Sequence, residues 1–143
     1  MLKMFRAAWF LSVLLVLANL LYVYASLPED VIVQGDEKVA VSRELLFYGL
    51  VIMILLINSL VYIFKAMFEE GENLRSWFHG LVITINIFLI VALHAVNVYN
   101  SSEVFNHTVV PFYLAGSLML IVIWSALWPL YYIVQKFLIK QSV

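Results

Sequence analysis

The stretch Ala7–Pro28, AAWFLSVLLVLANLLYVYASLP, is uncharged along its whole length. An apolar segment of about 20 residues is what an α-helix needs to cross a hydrocarbon layer about 30 Å thick. Charged residues are excluded from the middle of such helices, where each costs roughly 2.5 to 3.5 kcal/mol. Three more charge-free segments follow, over Leu45–Phe64, Ser76–Ser102 and Val104–Gln135. We therefore expect transmembrane helices over residues 7–26, 45–65, 77–99 and 109–134.

The overall composition supports the same fold class. Of 143 residues, 65% are hydrophobic and 12% are charged, which leaves too few polar side chains to cover a soluble domain. The net charge is −1 and cysteine is absent, which argues against nucleic-acid binding, disulfides and thiolate metal sites. We predict an all-α membrane protein in which residues 1–143 form one four-helix transmembrane domain, with the lipid bilayer as a partner and no nucleic acid.

Basic residues fall unevenly on the two sides of this four-span arrangement. Lys38 and Arg43 lie on one side, and the remaining Lys and Arg lie on the other: Lys3, Arg6, Lys65, Arg75, Lys136 and Lys140. The excess of Lys and Arg on cytoplasmic loops predicts that both termini are cytoplasmic. In this orientation the tryptophans lie toward the cytoplasmic side, and Pro129 bends the fourth span or marks where it leaves the bilayer. The apolar part of the first span is longer than that of a usual signal peptide, so we expect a retained helix.

The loop between the first two spans has the pattern of a small β-hairpin. Val31–Val33 and Lys38–Val41 are rich in β-branched residues and flank a polar turn. We therefore predict a hairpin in this first extracytoplasmic loop. The loop serves either as a short ordered connection or as a surface that docks a partner, and its candidate docking residues are Gln34, Gly35, Asp36 and Glu37.

The same loop carries a family resemblance. The run YASLPEDV over Tyr24–Val31, with Gly35 and then Ser42–Glu44 ahead of the next span, resembles the N-terminal part of small bacterial membrane proteins related to the immunity protein of sporulation-delay toxin systems. Those proteins carry Leu-Pro, a spacer, Ile-Pro-x-His and a glycine here, whereas this chain has Ile32 in place of the second proline and Gln34 in place of the histidine. The resemblance covers about residues 10–65 and implies a multi-pass protein of the bacterial inner membrane.

Polar residues within the spans are expected to face protein, because an unpartnered polar group in lipid is costly. The candidates for interhelical contacts are Asn19, Asn58, Asn86, His94 and Asn97. On the third helix, Asn86, Asn97 and His94 fall within an arc of about 80°. Asn58 and Asn86 lie at similar depths in antiparallel helices, so we expect them either to be each other's nearest polar neighbours or both to face a partner subunit. His94 lies nearer the outer surface and is expected to find a backbone carbonyl, a loop group or water.

Catalytic and cofactor chemistry find few candidates among these residues. His94 could ligate a haem, but a second histidine at matching depth is missing, because His79 lies about 22 Å away along the same helix. His107, in the outer loop, is the only conceivable partner. The serines have no acid or base in register, so no nucleophilic set is present. We expect no enzyme, no bound cofactor and no metal site. Gly49 and Gly116-Ser117 are small enough to predict close helix packing.

Three functions remain open on the sequence. The leading hypothesis is an accessory, structural subunit that packs against other integral membrane subunits of a larger bacterial inner-membrane complex, such as respiratory or transport machinery. The alternative is a stand-alone membrane receptor or immunity-type protein that uses its outer hairpin. A haem-bearing electron-transfer subunit is the third.

Overall fold

A computed structural model describes residues 1–33, 39–69, 71–101 and 108–141. In this part of the chain there are four helices and one two-stranded sheet. In chain order they are α1 (Leu2–Ser26), β1 (Asp30–Ile32), β2 (Ala40–Ser42), α2 (Arg43–Met67), α3 (Glu72–Tyr99) and α4 (Val110–Gln141). All four helices are long and apolar enough to cross a membrane, so the prediction of four spans is confirmed at that level.

The helices are longer than the predicted spans. α1 begins at Leu2 instead of residue 7, α3 begins at Glu72 instead of residue 77, and α4 ends at Gln141 instead of residue 134. The charge rule locates only the part of a helix that lies in hydrocarbon, whereas helical hydrogen bonding continues through charged residues at the membrane surface. Pro129 lies inside α4, which continues past it.

Helix α3 is the centre of the bundle and packs against α1, α2 and α4. α1 and α3 run parallel, because Ser12 contacts Asn86 near one end and Ser26 contacts Asn97 near the other. α2 and α4 run in the opposite direction, as the Trp9–Asn58 and Trp77–Trp124 contacts show. We call the end that holds these tryptophans the tryptophan end and the opposite end the hairpin end.

The apolar core lies between α1, α2 and α3, toward the hairpin end. Its buried residues are Val16, Leu20, Val23, Leu27, Val31, Ile54, Leu89 and Leu93. Val31 of β1 belongs to this cluster, so the hairpin packs onto the ends of the helices. In contrast, only 11% of the most apolar part of α4 is buried, and its main neighbour in the described part of the chain is α3.

The hairpin is antiparallel, with Val31 opposite Val41 and Ile32 opposite Ala40. Val33 N–H donates to the Val39 carbonyl at 3.2 Å, which extends the ladder toward the turn. A two-stranded hairpin in this loop is therefore confirmed, although its strands are Asp30–Ile32 and Ala40–Ser42 instead of the predicted runs 31–33 and 38–41, of which Lys38 lies outside the described residues. The predicted docking residues Gln34, Gly35, Asp36 and Glu37 lie outside the described residues.

Candidate functional site

Two buried side-chain amides from neighbouring helices meet in the membrane-spanning region. Asn58 of α2 and Asn86 of α3 are 7% and 0% exposed. Asn58 Nδ2 donates to Asn86 Oδ1 at 3.1 Å, and Asn86 Nδ2 donates back to Asn58 Oδ1 at 3.0 Å. The structure thus brings together the two residues that the sequence placed at a common depth.

Helix α1 joins this pair through two further side chains. Trp9 Nε1 donates to Asn58 Oδ1 at 2.9 Å, and Asn86 Nδ2 donates to Ser12 Oγ at 2.9 Å. The Ser12 hydroxyl in turn donates to the Trp9 carbonyl at 2.7 Å. Trp9, Ser12, Asn58 and Asn86 therefore form one network across three helices, which we call the amide clamp.

The amide clamp is nearly saturated. Asn58 accepts from Trp9 and Asn86, and its amide hydrogens go to Asn86 and to the Ile54 carbonyl at 2.8 Å. An Asn side chain offers two donors and about two acceptor sites, so Asn58 uses all of them. Asn, Ser and Trp do not titrate near neutral pH, so this network orients helices and has no proton to exchange.

His79 adds a buried ring on the tryptophan side of the clamp. It is 5% exposed, and its ring lies edge-on to Trp9 with a centroid distance of 5.8 Å. Its Nδ1 lies 2.7 Å from the Arg75 carbonyl, a geometry in which the protonated nitrogen donates to that oxygen. His79 therefore packs against Trp9 and has no role as a haem partner in the sequence-based interpretation, which placed it too far from His94.

The other residues predicted to make interhelical contacts differ in their surroundings. Asn97 faces α1, where its Oδ1 accepts a hydrogen bond from the Ser26 hydroxyl at 3.0 Å. Asn19 is half-buried beside a groove between α1 and α3 that His94 also lines. The His94 side chain itself is exposed, so the structure differs from our expectation that it points into protein contacts.

The position of His94 follows from helix geometry. Asn86 and Asn97 lie within about 20° of each other on α3, whereas His94 lies about 60° further round from Asn97. That rotation takes His94 past α1 and into the gap before α4, where it borders grooves on both sides. The arc was expected to face protein along its whole width, but α1 contacts only the part that holds Asn86 and Asn97.

A second clamp joins α3 to α4. It was missed in the sequence, where the tryptophans were placed only toward one side of the membrane. Trp77 Nε1 donates to the Trp124 carbonyl at 2.9 Å, and Trp124 Nε1 donates to the Trp77 carbonyl at 2.9 Å. Each indole thus donates to a backbone carbonyl of the facing helix. Phe5 of α1 and Trp128 extend this aromatic cluster, with ring centroids 5.9 Å from Trp124 and 6.1 Å from Trp77 respectively.

Gly80 makes this approach possible. A Cβ atom at Gly80 would overlap the Trp124 indole, with Nε1 only 2.8 Å away. Gly49 and Gly116 were predicted to mark close packing, but among the described residues a Cβ at either position would meet nothing within 4 Å. The available signal was a glycine on one helix that lies opposite a tryptophan on another. This signal can be recognised only when the pairing of α3 with α4 is already known.

At the hairpin end, Asn100 holds β1 to the end of α3. Its Oδ1 accepts from Ile32 N–H at 2.7 Å, and its Nδ2 donates to the Ile32 carbonyl at 2.8 Å. The side-chain amide thus replaces a neighbouring strand at the free edge of β1. Nδ2 also donates to the Val96 carbonyl at 2.8 Å, which ties the hairpin to the helix.

Arg43 anchors the other strand of the hairpin at the start of α2. Its backbone N–H donates to the Glu29 carbonyl at 2.8 Å, and its Nη1 donates to the Leu27 carbonyl at 3.1 Å. The guanidinium lies 4.9 Å from the centroid of the Tyr24 ring, within the range of a cation–π contact. Asn100 and Arg43 therefore hold the hairpin against three helices.

Comparisons with protein-family models, with curated proteins and with solved structures return no match to this chain. Within the described residues, no group of three or more His, Asp or Glu side chains is placed to hold a metal ion. The polar residues that the structure does bring together connect helices and secure the hairpin.

Proposed function

We propose that this chain is a non-catalytic accessory subunit of a larger complex in the bacterial inner membrane, with both termini in the cytoplasm. Other integral membrane subunits would be its partners, and respiratory or transport machinery is the kind of assembly that such a subunit would join. The proposal is drawn from how the chain uses its polar groups and from which helix has the most free surface.

The observation that carries the proposal is the contrast between the two halves of the bundle. α1, α2 and α3 are joined by the saturated amide clamp, whereas α4 packs mainly on α3 and leaves most of its surface uncovered. Met119, Val122 and Ile123, on the side of α4 away from Trp124, are 65%, 64% and 56% exposed. A helix of this kind supports packing against another membrane protein, because helix association in lipid depends on the surface that remains free to pack.

A second candidate is the receptor or immunity-type function, which the anchoring of the hairpin favours. Asn100 and Arg43 hold β1 and β2 in one orientation, so little ordering would be needed for the hairpin to bind a peptide or another protein. In this case the docking residues would be Gln34, Gly35, Asp36 and Glu37, which lie between the two strands in the sequence, and the partner would approach from outside the membrane.

Site-specific photocrosslinking in cells separates these two functions. A photoreactive residue is placed at Met119 on α4, at Leu56 on α2 or at Val39 in the hairpin. Leu56 is the matched control. Its side chain is 63% exposed, close to the exposure of Met119, but its helix α2 already packs against both α1 and α3. The accessory-subunit proposal expects discrete protein adducts from position 119, whereas position 56 yields adducts with lipid.

The alternative outcomes are equally specific. Discrete adducts from position 39 alone would favour the receptor or immunity-type function. Protein adducts from neither position 119 nor position 39, in cells where the chain is expressed at its natural level, would reject both candidates. Mass spectrometry of the adduct from position 119 would identify the partner subunit.

A further inference from the structure

The last third of α4 extends well beyond the rest of the bundle at the tryptophan end. The reciprocal contact of Trp77 and Trp124 places these two residues at one level. At a rise of about 1.5 Å per residue, α3 extends only about 8 Å past that level, to Glu72, whereas α4 extends about 25 Å, to Gln141. The start of α1 and the end of α2 also lie near the Trp77 level, so no other described helix accompanies α4 over its last turns.

An upright α4 leaves the hydrocarbon layer near Pro129, five residues before the end of the span that the charge pattern predicts. From Val110 to Pro129 the helix already spans about 30 Å, which is the thickness of the hydrocarbon layer. The level of Trp77 and Trp124 also matches a membrane interface, where tryptophans concentrate. The residues after Pro129 therefore begin in the headgroup region, and a straight helix would carry them into water.

The side chains of the extension are nevertheless mostly apolar. Between 44% and 67% of the surface is exposed for eight large residues with apolar or aromatic side chains: Leu130, Tyr131, Tyr132, Ile133, Val134, Phe137, Leu138 and Ile139. A continuous surface of this kind does not remain in water in a soluble state. Something must cover it.

The pattern of residues around the helix indicates what covers it. At 100° per residue, Leu130, Val134, Phe137 and Leu138 lie within about 100° of one another. The opposite side holds Gln135, Tyr132 and Lys136, with Ile139 as the apolar residue among them. A helix that lies in a membrane interface has one wide apolar face and an opposite face that carries basic residues. Lys136 and the polar tip of Tyr132 give this segment such an opposite face. A contact with a partner protein does not require a lysine opposite the apolar face.

Pro129 provides the point at which the direction can change. It has no N–H to donate to the Ser125 carbonyl, and its ring crowds that carbonyl, so the helix is weakest there. We propose that residues 130–139 form an interfacial segment that turns at Pro129 and lies on the bilayer surface at the tryptophan end. In this arrangement Val134 and Leu138 face the acyl chains, while Lys136 faces the phosphates of anionic phospholipids.

Spin labelling of the full chain in vesicles tests this proposal directly. The natural sequence contains no cysteine, so single-cysteine variants carry no background label. Leu138→Cys and Lys136→Cys are labelled and reconstituted in phosphatidylethanolamine and phosphatidylglycerol vesicles. Their collision rates with oxygen and with a water-soluble nickel complex are then measured. In vesicles that contain only this chain and no partner subunit, Val122 in the membrane-spanning part of α4 is exposed to lipid, so Val122→Cys is the control for a lipid-facing position.

The proposal expects the label at position 138 to collide often with oxygen and rarely with nickel, as at position 122. The label at position 136 should collide with nickel at least fivefold more often than the label at 138. Equal nickel access at both positions would place the segment in water and overturn the proposal. Protection of both labels from both reagents, or spin–spin broadening between copies, would overturn it in favour of a protein partner or a second copy.

Discussion

Asn58 and Asn86 bind each other through both ends of their amides, at 3.1 and 3.0 Å, in the middle of an otherwise apolar bundle. Each amide satisfies a group that would be costly to leave unpaired away from water. The pair therefore sets the depth at which α2 and α3 meet. Trp9 and Ser12 transmit the same register to α1.

Replacing Asn86 with leucine should lower the free energy of unfolding by about 1 to 2 kcal/mol, because the acceptor and donors of Asn58 lose a partner in a region without water. The measurement is unfolding of the purified protein in mixed detergent micelles. Ser59→Leu is the matched control, since Ser59 is next to Asn58 but exposed, and its hydroxyl bonds only within its own helix. Equal stability of the two variants would show that the amide clamp does not hold the bundle together.

Replacing Gly80 with alanine should destabilise the contact between α3 and α4 by about 1 to 3 kcal/mol, as overpacking of a tight interface does. The added methyl group meets the Trp124 indole, so tryptophan fluorescence should change together with the melting temperature. Gly116→Ala, where a methyl group meets nothing, should be neutral or slightly stabilising. If Gly80→Ala melts at the temperature of Gly116→Ala, the close approach of Trp124 is not present in the protein.

Replacing Asn100 with alanine should release the edge of β1. Ile32 N–H loses its acceptor and the Ile32 carbonyl loses its donor, so amide exchange in β1 should accelerate about fivefold or more, which corresponds to about 1 kcal/mol. Hydrogen exchange followed by mass spectrometry reads this out. Asn97→Ala removes a bond to Ser26 and should leave exchange in the hairpin unchanged. Protection of β1 that persists in Asn100→Ala would contradict the role given to Asn100.

Substitution of the two histidines of α3 should have very different effects on stability. His79→Ala removes a buried ring that contacts Trp9, so we expect a loss of about 1 to 3 kcal/mol, whereas His94→Ala removes an exposed ring and should change stability by less than about 0.5 kcal/mol. The stability of both variants is measured by unfolding in detergent. An absorption spectrum of the natural protein and of His94→Ala tests separately for bound haem. A Soret band that is lost in His94→Ala would support the electron-transfer alternative and reject the accessory-subunit proposal.

Both termini should be cytoplasmic, because six of the eight basic residues flank the spans on their side. A fluorescent protein fused after Val143 should fluoresce, and alkaline phosphatase at the same position should be inactive. Alkaline phosphatase inserted after Gly35 is the paired control and should be active. The reverse result at the two positions would invert the topology and place the interfacial segment in the outer leaflet.

The sequence by itself determined the features that depend on one helix at a time. The charge-free segments located four spans, the two β-branched runs located the hairpin, and counting along antiparallel helices placed Asn58 level with Asn86. These properties follow from the period of a helix, the alternation of a strand and the cost of charge in hydrocarbon, all of which are local.

Only the tertiary structure decided which faces meet. It put α3 at the centre, left His94 in the gap between α1 and α4, brought Trp124 over Gly80 instead of packing a helix against Gly49 or Gly116, and directed the Asn100 amide to Ile32. In hydrocarbon every face of an apolar helix has similar solvation, so hydrophobicity does not select the neighbour. Shape and a few hydrogen bonds between residues distant in sequence make that selection, and they exist only once the helices are in contact.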